Sequence, residues 1–265
     1  MSLKFNHYLN LNREGIFPGP RETEEEFAVR TEKIRAEISL PGIPLTQKEW
    51  EEAHRITKPV FDIQPTWIPA FYRDQKLSFW EAAATWDFEG RTVVQLAQKK
   101  KGRFILVNWE EVLAHEAAHA ARMAFRESRF EEILSYQTSR SSWRKRFGPL
   151  FRHPWEAALC AGAAGIGWVF GMFGMLTPAL IVPWIPFLFF FVRLQNDRTI
   201  FKRCQKKLKP LLLHPEQTLA AALRLTDREI VFFAKASQEE IIDYIRRAKE
   251  EELRWKVISS SYFSV

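Results

Sequence analysis

The chain has 265 residues, 46% hydrophobic and 27% charged, with 39 Lys+Arg against 32 Asp+Glu and a net charge of +7. This composition excludes a disordered or collagen-like chain and leaves room for one large domain or two small ones. Two cysteines, Cys160 and Cys204, exclude a disulfide framework. The cations flank a long apolar stretch, so the basic balance points to an anionic membrane surface rather than to nucleic acid.

The first 17 residues lack the continuous apolar core of a signal peptide, so the N-terminal part is expected to stay in the compartment where it is made. Residues 1–20, with Gly15, Pro18, Gly19 and Pro20, read as an extended lead-in. Residues 21–38 form a charged helix with a thin stripe of Phe27, Ile34 and Ile38, ended by Pro41 and Gly42. Thr46 and Glu49 are spaced as a capping box and open a short helix. Residues 56–90 are rich in aromatic rings, among them Phe61, Trp67, Phe71 and Trp86. They suit a core beneath a neighbouring helix, or the lining of a substrate pocket. Within them, residues 77–86 are expected to be helical. Residues 91–98 and 103–107 are β-rich runs around a glycine-containing loop and predict a hairpin.

A helix then opens at Asn108, with Glu111 at the capping-box position, and runs to about Phe125. It carries His115-Glu116-Ala117-Ala118-His119, the pattern H-E-x-x-H. Residues four apart share a helix face, so both imidazoles can reach one metal ion while Glu116 handles a proton. Alanines at 114, 117, 118, 120, 121 and 124 allow the close helix approach that buried ligands need. A catalytic zinc takes a third protein ligand. Ser128 and Glu131 are spaced as another capping box, which occupies Glu131 and leaves Glu132 as the expected carboxylate ligand. Arg122, three residues after His119, is placed to pin a peptide carboxylate or oxyanion, or to pair with Glu131 or Glu132.

This arrangement resembles the gluzincin-type zinc metallopeptidases over about residues 92–136. The resemblance implies Zn2+ held by His115, His119 and Glu132, with Glu116 as general base and acid. It also implies an edge strand beside the metal helix that pairs with extended substrate, here residues 92–98. Many such enzymes carry an Asp four residues after the ligand Glu. Here that position is Tyr136, whose hydroxyl suits a partner behind a ligand or an oxyanion donor.

Residues 157–192 contain no charge and suit two membrane arms, 155–176 and 179–194, turning at Thr177-Pro178. Ala163, Gly167 and Gly171 form a small-residue packing face. Prolines at 183 and 186 weaken the second arm, so a re-entrant hairpin is the alternative to a full span. Cations on both flanks place both ends in the cytosol. Residues 199–258 are helical, with capping boxes at Thr226/Glu229 and Ser237/Glu240.

The expected fold is mainly α, of α+β type: a zincin-like metal-helix core with a small β-hairpin (1–153), an inserted two-helix membrane hairpin (154–194) and a helical C-terminal cytosolic module (195–265). That module docks on the catalytic part or on a helical partner. The expected function is a membrane-anchored zinc metallopeptidase acting on a protein or peptide at the cytosolic face of the lipid bilayer. The alternatives are a non-catalytic membrane scaffold with a structural or degenerate metal site, and a metal hydrolase acting on a membrane-proximal lipid or small molecule. No nucleotide-binding loop or nucleic-acid motif is present, so nucleic acid is not an expected partner.

Overall fold

The computed structural model describes residues 3–75, 77, 82–88, 91–98 and 108–264. It is mostly helical with one small mixed sheet. The N-terminal segment is not extended: α1 (Leu3–Arg13) is a helix. Its Tyr8 and Leu11 are buried with Leu253 and Val257, partners some 240 residues away that local sequence does not reveal. A capping box at Thr23 and Glu26 opens α2 (Glu24–Arg35). The short β1 (Ile43–Pro44) follows, and the Thr46/Glu49 box opens α3 (Gln47–Phe61).

The sheet comprises β1, β2 (Ala70–Tyr72), β3 (Ala83–Phe88) and β4 (Arg91–Leu96), in the order β1-β2-β4-β3. Among the described residues only the β2–β4 pairing is parallel. Two expectations change here. Residues 83–86 are strand rather than helix, because they pair with β4 through Ala83–Leu96 to Phe88–Arg91. The strand read as the edge, residues 92–98, lies inside the sheet, and among the described residues β3 is the edge on that side. The 103–107 half of the expected hairpin lies outside the described residues.

The H-E-x-x-H helix, α4 (Trp109–Arg122), starts at Asn108, whose side chain accepts from the amides of Glu110 and Glu111. Glu111 does not close a capping box; its carboxylate meets Ser139 and Arg144 instead. One face of α4, with Val112, Ala114 and Ala117, packs with Val94 and Leu96 of the sheet and Ala53 and Ile56 of α3. The other face, Ala118 and Ala121, enters a second core with Phe17, Phe61, Phe125 and Phe130. Small side chains on both faces let α4 sit between the two layers. A 3₁₀ turn ends α4, and Arg126 in the left-handed region (φ 52°) redirects the chain into α5 (Glu131–Ser135). The basic α6 (Ser142–Phe147) follows.

The apolar stretch forms α7 (Pro154–Met172), α8 (Leu176–Ile181) and the first half of α9 (Trp184–Leu208). Two stretches, Pro154–Met172 and Leu176–Leu211, are long and apolar enough to cross a membrane. At 1.5 Å per residue α7 is about 28 Å long, close to a hydrocarbon layer. Leu159, Trp168, Phe173, Leu180 and Phe189 are all exposed on these arms, far more apolar surface than scattered single residues would present. The turn falls at residues 173–175, where Gly174 adopts φ 73°, rather than at Thr177-Pro178. Proline fits the open first turn of α8 without losing a hydrogen bond. Gly167 meets Pro183 and the Ala179 carbonyl, as expected of a small-residue packing face.

The tail continues through α10 (Thr218–Leu223), α11 (Asp227–Lys235), α12 (Gln238–Glu251) and α13 (Leu253–Tyr262). Both expected capping boxes are present. One buried cluster joins Phe61, Ala118, Phe130 and Leu134 to Phe201, Leu223, Phe233, Trp255 and Tyr262, so the C-terminal helices share a core with α4 and α5. The fully buried Arg224 fastens the two parts: it donates to the Asn12 side chain and to the carbonyls of Asn12, Phe61 and Ala220. Cys160 and Cys204 are free thiols.

Candidate metal centre

The α4 repeat places His115 and His119 one turn apart on the face toward α5, their Nε2 atoms 3.0 Å apart. Glu132 reaches toward both. Its Oε1 lies 3.5 Å from His119 Nε2 and its Oε2 3.6 Å from His115 Nε2. Ligand atoms of the three residues all lie within 4.8 Å of one another. Four ligands around a zinc at about 2.0–2.1 Å would be separated by about 3.3 Å, so two imidazoles and one carboxylate at these spacings suit the ion.

Glu131 stands behind this set. Its Oε1 lies 3.1 Å from His119 Nδ1, while its Oε2 accepts from Arg122 Nε at 2.9 Å. A carboxylate behind a ligating imidazole fixes the ring's orientation and tautomer. Tyr136 does not take that place: its ring packs against His115 with centroids 4.6 Å apart. Arg122 is fully buried and also donates to the carbonyls of Leu223 and Leu225. It stands in the wall of the cleft with its guanidinium turned to these partners, and of its expected roles the pairing with Glu131 is the one observed.

The expected Ser128/Glu131 capping box does not form, because the Glu131 carboxylate is taken by His119 and Arg122. The start of α5 is capped from outside instead. Asp227 accepts from the amides of Arg129 and Phe130, and Glu127 in return accepts from the amide of Asp227. Each helix start is thus satisfied by a carboxylate about a hundred residues distant. Glu132 joins the histidines as expected, for a different reason from the one the sequence offered.

Glu116 points toward β3, where Thr85 Oγ1 donates to its Oε2 at 2.7 Å. Sequence reasoning missed Thr85, because its contact depends on a strand register that residues 77–86 do not advertise. The same strand supplies a backbone edge. Ala97 N donates to Ala82 O, and on the far side of β4, Leu96 O and Val94 N bond to Arg73 and Pro69. In an antiparallel ladder this alternation turns the N–H and C=O groups of Ala83, Thr85 and Asp87 away from β4. The aromatic-rich segment is divided: Phe61 and Phe71 are buried, Trp86 and Phe88 are exposed, and none of its described rings lines the cleft around His115.

The electrostatics follow from burial and from these pairings. Burial and the neighbouring His119 and Arg144 charges hold His115 well below the ordinary histidine range. Burial acts the same way on His119, but Glu131 and Glu132 outweigh it and hold this ring up to about 9. Burial, with help from Glu116 and Glu131, raises Glu132 to about 7 against the pull of His119. Burial opposes ionisation of Glu131 too, yet Arg122 and His119 keep it below the usual carboxylate range. Burial and the Glu132 charge raise the Tyr136 phenol. One ring that is neutral, one that binds a proton tightly and two adjoining carboxylates form a set in which a divalent cation can replace protons.

Comparison with protein-family models, curated proteins and solved structures finds no match. The reading of this site therefore rests on its own geometry.

Proposed function

We propose that this chain is a membrane-anchored, zinc-dependent peptidase whose active site faces the cytosol. The observation that supports it most is the convergence of His115, His119 and Glu132 within 4.8 Å beside Glu116. A zinc ion bound there would supply Lewis acidity toward a carbonyl and lower the pKa of water to about 7. Around it, Glu131 and Arg122 orient His119. Glu116, steadied by Thr85, takes a proton from water and returns it to the leaving amine. The outward backbone groups of β3, unpaired among the described residues, suit pairing with an extended peptide.

The anchor is the apolar hairpin. Arg140, Arg144, Lys145, Arg146 and Arg152 precede it, and Arg198, Lys202, Arg203, Lys206 and Lys207 follow it. Cations on both flanks favour cytosolic ends, and with them a cytosolic metal site. At the hairpin root the exposed Trp143 lies on the basic α6, whose Phe147 stacks near Phe191 of α9. An aromatic among cations at this level suits the bilayer interface.

The test is the metal content and hydrolytic activity of purified full-length protein. Wild type should hold one zinc per chain, and His119→Ala should lose it. Glu116→Gln should keep zinc and lose cleavage of a randomised peptide pool. A wild type without zinc, or a Glu116→Gln variant as active as wild type, refutes the reading.

A further inference from the structure

The cleft around His115 and Glu116 extends beyond the metal-ligand set. One wall is the outer edge of β3 at Ala83 to Thr85. The other passes Tyr136 and Phe151 to His153 and Ala157, in the first turn of α7. Two residues further on, Leu159 is exposed and the uncharged face of the hairpin has begun. Along the helix axis that is a rise of about 3 Å. The cleft and the apolar arm thus share a boundary.

The charges at the hairpin root fix the level of that boundary. Glu156 is the last ionisable side chain before the apolar run and Arg193 the first after it, and the two pair at 2.6 Å. Arg152 pairs with Asp197 one turn below. Ionised side chains are costly in hydrocarbon, so these pairs sit at the headgroup level, and the mouth of the cleft sits there with them.

We infer that the substrate is the extended juxtamembrane segment of a membrane-spanning polypeptide, cut close to the bilayer surface. This rests on the peptidase reading above and adds the substrate class. The cleft chemistry favours a polypeptide over a lipid. Its wall mixes apolar Val112, Met123, Phe151 and Ala157 with His115, Glu116, Glu127, Arg144 and Arg152, so an acyl chain threading it would lie against several charges. Among the described residues β3 is the edge strand beside the cleft, and its outward N–H and C=O groups match an extended backbone. A chain already anchored in the same bilayer also arrives at high effective concentration, a gain of about 10²-fold or more over the free segment.

The experiment uses full-length protein in vesicles of phosphatidylcholine and phosphatidylglycerol, with zinc content measured first. Two substrates are compared. One is a single-span peptide carrying a randomised segment of about twelve residues, about 40 Å when extended. The other is the same segment without the span. Products and vesicle lipids are read by mass spectrometry, with Glu116→Gln as control. The expected result is at least about 100-fold faster cutting of the tethered pool, with cuts in the half of the segment nearest the span. Equal cutting of both pools, or cuts spread along the tethered segment, overturns the juxtamembrane substrate and leaves a peptidase. Hydrolysis of vesicle lipid with no peptide cut, or no cutting at all by the zinc-loaded protein, overturns the substrate class and the peptidase reading together.

Discussion

Glu131 holds His119 from behind, its Oε1 3.1 Å from Nδ1, and is itself held by the buried Arg122. The carboxylate next in sequence, Glu132, faces the opposite way, into the ligand set. Adjacent residues at the start of α5 thus face different ways, one carboxylate behind the His119 ring and one into the His115–His119–Glu132 cluster.

Glu131→Gln keeps the shape but weakens that support. Zinc affinity should fall about 10- to 100-fold while the helical content is unchanged. Competition with a chromophoric chelator, alongside circular dichroism, measures both. An affinity equal to wild type would show that Glu131 does not orient the ring.

Zinc binding should also be strongly pH-dependent. His119 is held up to about 9 and Glu132 up to about 7, and the ion must displace protons from both. Affinity should therefore rise about tenfold per pH unit between 7 and 9 and more steeply below 7. Proton release on zinc addition in weak buffer checks the count. A pH-independent affinity would contradict the assigned ligands.

The tail should set the acid limit of the fold. Burial pushes Glu229 up, but Arg254, the Thr226 amide and Trp255 together hold it below the usual carboxylate range. A lowered folded pKa stabilises above the unfolded value, about 4.3, and that stability is lost as the pH falls through the folded value. Glu229→Gln leaves the buried Arg254 with only the more exposed Glu252 as counter-charge and should cost about 3 kcal/mol near neutrality. Its stability should then fall less steeply than wild type below about pH 4. Denaturant melts across pH provide the comparison.

The hairpin glycines should not behave alike. A Cβ on Gly167 would lie 2.6 Å from Pro183 Cγ and 2.9 Å from the Ala179 carbonyl oxygen, whereas one on Gly162 meets nothing within 4 Å. Gly167→Ala should destabilise by about 1–3 kcal/mol through overpacking. Gly162→Ala should be neutral or slightly stabilising, since alanine is the better helix former. Thermal melts in detergent distinguish the two, and equal melting temperatures would mean that α7 and α8 do not pack through Gly167.

Local chemistry made much of this legible. The boxes at Thr46, Thr226 and Ser237 open helices as their spacing requires, because both partners of each cap lie within one turn. The H-E-x-x-H spacing likewise fixes a shared face. What escaped depends on distant partners. The helicity of α1 follows from burial against α13. The cap of α5 comes from Asp227 and not from Ser128. The edge role of β3 depends on which strands flank β4, which alternation along one segment does not encode.

Arg122 has a consequence in time. Its carbonyl partners on Leu223 and Leu225 are joined to the chain 101 and 103 residues after it. At about 5–20 residues per second, roughly 5–20 s of synthesis separate the arginine from the groups that fix it. The whole apolar hairpin is made within that interval. The support behind His119 is therefore completed only after the apolar hairpin has been made, so a nascent chain carries its histidines for that interval before it can hold them in working order.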